Sequence, residues 1–237
     1  MKLINWLLAT LPDEVYQRLN AHLELVDLPQ HKVLYYPGDR FEYAYFPTKS
    51  IISKVAIMED GSTAEIGIIG NEGMVGMPIM LKTDYMVNSS LIVQVGGNGY
   101  RIAAEKLREE LDRHGVLQDL LTRYIQARII QISQTAACNS YHKIEQRFAR
   151  WLLTVRDRLQ ENEFHLTQEF IAQMLGVRRS GVTEVAGKFQ KEDIIRYSRG
   201  SIQIVSPERL KTHSCECYEL VENEFERILG ISRSNLK

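Results

Sequence analysis

The sequence predicts an α+β chain with three parts: an N-terminal, jelly-roll-like β-roll over 1–115, one long helix over 116–140, and a helix-turn-helix followed by a β-hairpin within 141–237. Two changes of hydrophobic period and one turn-punctuated helix pair predict it. From 32 to 101 the apolar residues come in short runs parted by turns. From 102 onward they recur at three and four. Around Gly176 two short helical patterns meet across a tight turn. The length of 237 residues fits two domains of roughly 100 residues each.

In chain order, Leu11, Val15, Leu19 and Leu23 stand four apart, with Pro12, Asp13 and Glu14 at their head. This predicts a short amphipathic helix over 11–25. Strands are then expected at 33–36, 43–46, 51–58, 64–69 and 91–95. Pro37-Gly38-Asp39, Glu59-Asp60-Gly61 and Gly70-Asn71-Glu72-Gly73 supply the turns between them. Many short strands with a turn about every ten residues make a sandwich, roll or barrel.

Leu117, Leu120, Leu121, Tyr124, Ile125, Ile129 and Ile132 then recur at helical spacing with no Gly or Pro between them. The apolar surface is wider than one neighbour needs. The helix is expected to pack on the roll with one side and on another helix with the other, either a symmetry mate, with Leu117, Leu121, Tyr124 and Ile132 as the dimer seam, or a neighbour that buries it inside its own chain. Another helix is expected at 144–159, and 141–143 is the expected junction between domains.

The most informative stretch is 166–185. Thr167 is placed to cap a helix and Glu169 complements the dipole in its first turn, while Ile171 and Leu175 share a buried face. Gly176 ends that helix, because glycine takes the left-handed conformation cheaply. Val182, Val185, Ala186 and Phe189 form the inward face of the next helix. Its outward face then carries Arg179, Ser180, Thr183, Glu184 and Gly187, with Arg178 and Lys188 at the margins, as a helix that reads the DNA major groove requires. Arg179 suits a bidentate contact to guanine, Ser180 and Thr183 suit base edges or phosphates, and Glu184 suits cytosine N4. Gly181 and Gly187 either let the backbone approach the groove or relieve crowding. Ile195 and Tyr197 alternate before Arg199-Gly200, and Ile202 and Ile204 after it. That is a hairpin just behind the reading helix, with Arg196 and Arg199 placed for phosphates.

This order of parts resembles the bacterial Crp/Fnr superfamily of transcription regulators over nearly the whole chain. The residues that carry the likeness are Pro37-Gly38-Asp39, the glycine-rich 70–76 segment, the long helix from Val116 and the winged helix at 167–205. The resemblance implies a homodimer on a two-fold symmetric double-stranded DNA site, RNA polymerase as a further partner, and a small effector in the roll. It also implies phosphate contacts for Thr167 and Gln168 and base reading by Arg179. By position, Gly73, Gly76, Met77, Asn88 and Ser89 are the expected effector pocket. Members that bind cyclic nucleotide carry a Gly-Glu pair and, some ten residues on, an arginine before a small residue. Here Gly76 is followed by Met77, and the later stretch reads Val87-Asn88-Ser89-Ser90. A buried phosphate would lose its bidentate arginine, so tight cyclic AMP binding is not expected. Met74, Met77, Met80 and Met86 suit an apolar ligand but read better as core. Glu184 stands where well-known members have a second arginine, and Arg178 replaces a small capping residue.

Charge supports the division of labour: residues 1–115 hold 11 basic and 15 acidic side chains, residues 141–205 hold 11 and 8. Three cysteines, Cys138, Cys215 and Cys217, make no disulfide framework and point to a reducing cytoplasm. The N-terminal apolar run is too short for a signal peptide or a membrane span, so no membrane partner is expected. Cys215-Glu216-Cys217 with His213 nearby matches no strong zinc signature. It is read as a reduced structural pair, with no metal ligand and no cofactor assigned. A redox- or metal-responsive regulator using the three cysteines, or a β-roll that only binds a small ligand, are the competing readings. Catalysis is not expected, since the strand-bearing region holds only His31, with His22 and His114 outside it, and no nucleophile and base stand in a recognisable motif.

Overall fold

The computed structural model describes residues 5–81 and 89–230. Two short helices open it, α1 (Trp6–Ala9) and α2 (Asp13–Asn20). Asn5 caps α1 by accepting from the Leu8 amide at 3.3 Å, while its own amide donates to the Pro47 and Gly73 carbonyls. The helix expected to run to residue 25 stops at Asn20. Glu24–Leu28 instead forms a strand, held by antiparallel pairing with Gly97–Ala103 and by an Arg101 to Glu24 hydrogen bond of 2.8 Å. Tertiary pairing overrides the helical period there.

Among the described residues the roll has seven strands: β1 (Glu24–Leu28), β2 (Val33–Tyr35), β3 (Tyr43–Pro47), β4 (Ile51–Ile57), β5 (Thr63–Ile69), β6 (Ser90–Val95) and β7 (Gly97–Ala103). They form two antiparallel sheets, β1-β7-β3 and β2-β6-β4-β5. Leu28, Tyr45, Ile52, Val75, Leu91 and Val93 fill the space between them. The rest of the chain comprises α3 (Ala104–Leu111), α4 (Val116–Tyr141), α5 (Ile144–Leu159), β8 (Glu163–His165), α6 (Gln168–Leu175), α7 (Arg179–Lys191), β9 (Ile195–Ser198), β10 (Ser201–Ile204), α8 (Pro207–Thr212) and α9 (Cys217–Leu229). None of the described helices is long and apolar enough to cross a membrane.

Helix α4 runs unbroken for 26 residues. Leu117, Leu120, Leu121, Tyr124 and Ala127 lie in one core with Phe46 and Met74 of the roll and with Val221, Phe225 and Ile228 of α9. This corrects the expected dimer seam. Leu117, Leu121 and Tyr124 are fully buried within their own chain, because the roll and α9 already cover that face. Ile132 lies on another face, half-buried, with Ile125, the 58 % exposed Ile129 and the exposed Ala136 at spacings of four and three.

The two halves share a second core. Ile51, Val55 and Ile68 of the roll pack with Phe148, Trp151, Leu152 and Val155 of α5 and with the helix-turn-helix. Polar groups are buried at this seam. Arg158 of α5 meets Glu72 at 2.7 Å, with both side chains about 5 % exposed or less. Glu65 of β5 accepts from Trp151 Nε1 at 3.0 Å and from Ser53 Oγ at 2.8 Å. Burial pushes the Glu65 carboxyl up to about 7, and those hydrogen bonds only partly oppose it.

Candidate nucleic-acid interface

The helix-turn-helix forms as its local chemistry requires. The Thr167 hydroxyl caps α6 by accepting from the Phe170 amide at 3.2 Å. Gly176 closes the helix with φ of +61°, and the next helix opens three residues later. Val182, Val185, Ala186 and Phe189 face the core, where Phe189 stacks on Phe148 of α5 with ring centroids 6.1 Å apart. Ordering α7 by its buried face leaves Arg178, Arg179, Ser180, Thr183 and Glu184 exposed. Arg178 precedes α7 without a side-chain cap, as its substitution for a small residue implies. Gly181 relieves crowding, since a Cβ there would meet Ile144 Cδ1 at 2.9 Å, whereas Gly187 faces open space.

Behind the reading helix, β9 and β10 form the expected hairpin. Arg199 and Gly200 at its tip both have positive φ, +50° and +84°, which is the two-residue turn that matches strand twist. A third strand, β8, pairs with β10, and its three residues are too short a run to announce themselves in the sequence. Tyr197 anchors the wing by donating from its hydroxyl to the Leu166 carbonyl at 2.8 Å.

Helix α6, helix α7 and the wing together enclose an open depression of about 310 Å³, lined by Thr167, Gln168, Arg179, Tyr197, Arg199 and Gly200. Two guanidinium groups and the amino end of α6 converge on it, the setting in which backbone N–H groups and positive charge hold a phosphate. Thr183 is not a free side chain: its hydroxyl donates to Gln168 Oε1 at 2.7 Å, which ties the two helices. Lys188 is engaged as well, at 2.8 Å from Glu145 of α5, so it reaches a backbone only by leaving that partner. Tyr197 and Gly200 are read in the sequence only as hairpin residues, not as site residues, and only the fold brings them beside Thr167.

Among the described residues, the roll leaves the outward face of α7 exposed. Its contacts fall on the other side of the winged helix. Gln30 donates to the His165 carbonyl at 2.9 Å, the His31 ring meets Phe170 edge-on at 5.7 Å, and Lys49 pairs with Glu161.

The glycine-rich segment of the roll is filled by the chain itself. A Cβ on Gly73 would lie 2.2 Å from the Tyr124 hydroxyl, which accepts from the Met74 amide at 3.0 Å. Gly76, with φ of +108°, sits against Ala44 and Ile79, and Met77 opens a short 3₁₀ turn (Met77–Leu81). Met74 is fully buried and Met77 and Met80 pack on the same core. Ser89 is buried as well. Asn88, Met86 and Val87 lie outside the described residues.

The cysteines come together. Cys138, Cys215 and Cys217 form a small buried group of their own, joined by His142 rather than by His213. The His213 ring instead lies between Glu145 at 2.8 Å and Glu192 at 3.2 Å. The Cys138-x₃-His142 spacing, two residues one turn apart on a helix, was the signal in the sequence that went unused.

Residues 146–212 match the model of the Crp-like helix-turn-helix domain. The sequence matches none of the curated proteins. Among solved structures, the chain is similar to a Crp-family transcriptional regulator from Thermus thermophilus, with TM-score 0.63 and 14% identity over 87% of this chain and 97% of that one. It is also similar to a Crp/Fnr-family regulator from Eubacterium rectale, with TM-score 0.62 and 18% identity over 90% and 98% of the two chains. The c-di-GMP-responsive global regulator CLP of Xanthomonas campestris aligns with TM-score 0.58 and 15% identity over 81% and 99%. At such identities the likeness is one of fold. Residues 146–212 thus carry a Crp-like helix-turn-helix domain, on an overall fold shared with solved Crp/Fnr-family regulators.

Proposed function

We propose that this regulator reads a two-fold symmetric DNA site as a homodimer, with α7 in the major groove and the wing on the backbone. The observation that carries the reading is the uncovered polar face of α7 beside a depression where Arg179, Arg199 and the amino end of α6 converge. In this arrangement Thr167, Gln168 and Arg199 hold phosphates and set the register. Arg179, Ser180 and Glu184 meet base edges. Thr183 and Lys188 contribute once they leave Gln168 and Glu145.

The second copy docks on the α4 stripe of half-buried Ile125 and Ile132 and exposed Ile129 and Ala136, whose alternating steps of four and three are those of a helix seam. Sedimentation of the full chain tests this directly. The wild-type chain is expected to run as a dimer, and Ile129→Glu is expected to give a folded monomer with weakened DNA binding. A wild-type monomer that binds DNA as tightly as Ile129→Glu would overturn the dimer. In the roll, the missing arginine and the filled glycine segment both weigh against cyclic nucleotide. Titration calorimetry with cyclic AMP and cyclic GMP should show no binding in the micromolar range; a clear micromolar isotherm would refute this part.

A further inference from the structure

Cys138 and His142, at the carboxyl end of α4, and Cys215 and Cys217, at the entry to α9, bring four potential ligand atoms within 4.8 Å of one another. The two pairs are remote in sequence, with Cys138 and Cys215 77 positions apart. Cys138 Sγ lies 3.6 Å from Cys215 Sγ, and Cys217 Sγ lies 3.5 Å from His142 Nδ1. A tetrahedral zinc ion with bonds of about 2.3 Å to sulfur and 2.0 Å to nitrogen has S···S edges of about 3.8 Å and S···N edges of about 3.5 Å. The Cys138–Cys215 and Cys217–His142 separations lie close to those edges, and all four atoms stay within 4.8 Å of one another. They are far longer than the ~2.05 Å of a disulfide.

The surroundings fit the same reading. The other ring nitrogen of His142, Nε2, is 3.3 Å from the Glu216 carboxylate, the arrangement that orients a metal-bound imidazole. The Gln134 amide donates to Cys217 Sγ at 3.0 Å, a contact that suits a thiolate. All three sulfurs are buried. Three cysteines acting only as small core residues need neither an imidazole nitrogen aimed at sulfur nor a carboxylate behind it.

We propose that Cys138, His142, Cys215 and Cys217 form a Cys₃His site for a single soft divalent cation, zinc(II) by geometry, that clasps the end of α4 to the entry of α9. Binding exchanges three S–H protons, released to solvent, for three S–metal bonds, with neutral His142 as the fourth ligand. A cluster of several irons would spread its ligands around more than one metal, so the narrow span selects one ion. With four protein ligands the coordination is closed, which makes the site structural rather than catalytic. Its place gives it a consequence: His142 caps α4 at the joint with α5, so the loaded site fixes the angle at which the DNA-binding half leaves the long helix.

The test uses the full chain purified under reducing conditions without chelator, and its readout is the metal, independent of DNA binding. Metal analysis after desalting is expected to give about one zinc per chain, and cobalt(II) loading to give thiolate charge-transfer and tetrahedral ligand-field bands. Cys217→Ser and His142→Ala should each cut zinc retention and those bands at least several-fold. His213→Ala, which alters a histidine outside the cluster, should leave both unchanged. A folded wild-type chain that retains no zinc after incubation with excess metal, or a cobalt spectrum without thiolate bands, would overturn the site. Stoichiometric iron with acid-labile sulfide would overturn the single ion. Should the variants lose their far-UV circular dichroism, thiol counting on wild type decides: zinc is expected to protect the three thiols from a thiol reagent, and equal reactivity with and without zinc would contradict the proposal.

Discussion

Arg158 and Arg179 lie twenty-one positions apart in the same half of the molecule and do opposite things. Arg158 is buried against Glu72 at the seam with the roll, beside glycines that admit neighbouring side chains; Arg179 is exposed on the outward face of α7. In the first region the buried Arg158, Glu72 and Glu65 side chains meet partners within the chain. In the second, charge and open space are left facing outward. A cation answered inside the fold maintains the fold, and a cation left beside an open depression is available to another molecule.

Breaking the buried side should have the larger effect on stability. Arg158→Leu leaves the Glu72 carboxylate without its main partner in a dry seam, which is expected to cost about 3–5 kcal/mol in urea unfolding. A loss under about 1 kcal/mol would show that the seam is hydrated and that the halves are loosely joined.

The pH dependence of that seam sharpens the contrast. Folded Glu65 keeps its proton up to about 7, while an unfolded glutamate releases it near the ordinary carboxylate value of 4.5. Its contribution to stability is therefore complete below pH 4.5 and is lost as pH rises through 7. Glu65→Gln should flatten this dependence, by about 2–3 kcal/mol between pH 4.5 and 7.5. Chemical denaturation across that range measures it, and parallel curves for the two proteins would contradict it.

How much of this contrast the sequence carried depends on how local each signal is. Thr167, Gly176 and the Arg199-Gly200 tip were legible, because a cap, a left-handed C-terminus and a two-residue turn are each decided by a few adjacent residues. The α4 seam was misassigned because helical periodicity reports that several faces are apolar without saying which neighbour covers each. Only α9, from the far end of the chain, reveals that Leu117, Leu121 and Tyr124 face inward. β1 was hidden by its exposed edge position, and β7 by Gly97 and Gly99, which a strand pattern disfavours. The glycines at 70–76 were visible, but their reason was not: Tyr124 and Arg158 reach them from helices fifty and more residues away. The cysteine cluster stayed hidden for the same reason.

On the open side, Arg179→Ala should leave stability unchanged within about 0.5 kcal/mol, as expected of an exposed side chain. It should weaken binding to the preferred duplex by about 1–3 kcal/mol, measured by fluorescence anisotropy. The smallest effect is expected at Gly187, where the space for a Cβ is empty. Gly187→Ala should stabilise the fold by about 0.5–1 kcal/mol through helix propensity. If DNA affinity falls in the same variant, the backbone at Gly187 approaches the groove.

Whether α7 reads bases is decided by selecting bound duplexes from a random-sequence pool with the wild-type chain and Arg179→Ala side by side. A two-fold motif with half-site centres about 10 base pairs apart is expected, with one position per half-site that loses its preference in the variant. An enriched pool without a two-fold motif, or a variant that weakens every sequence equally, would contradict it.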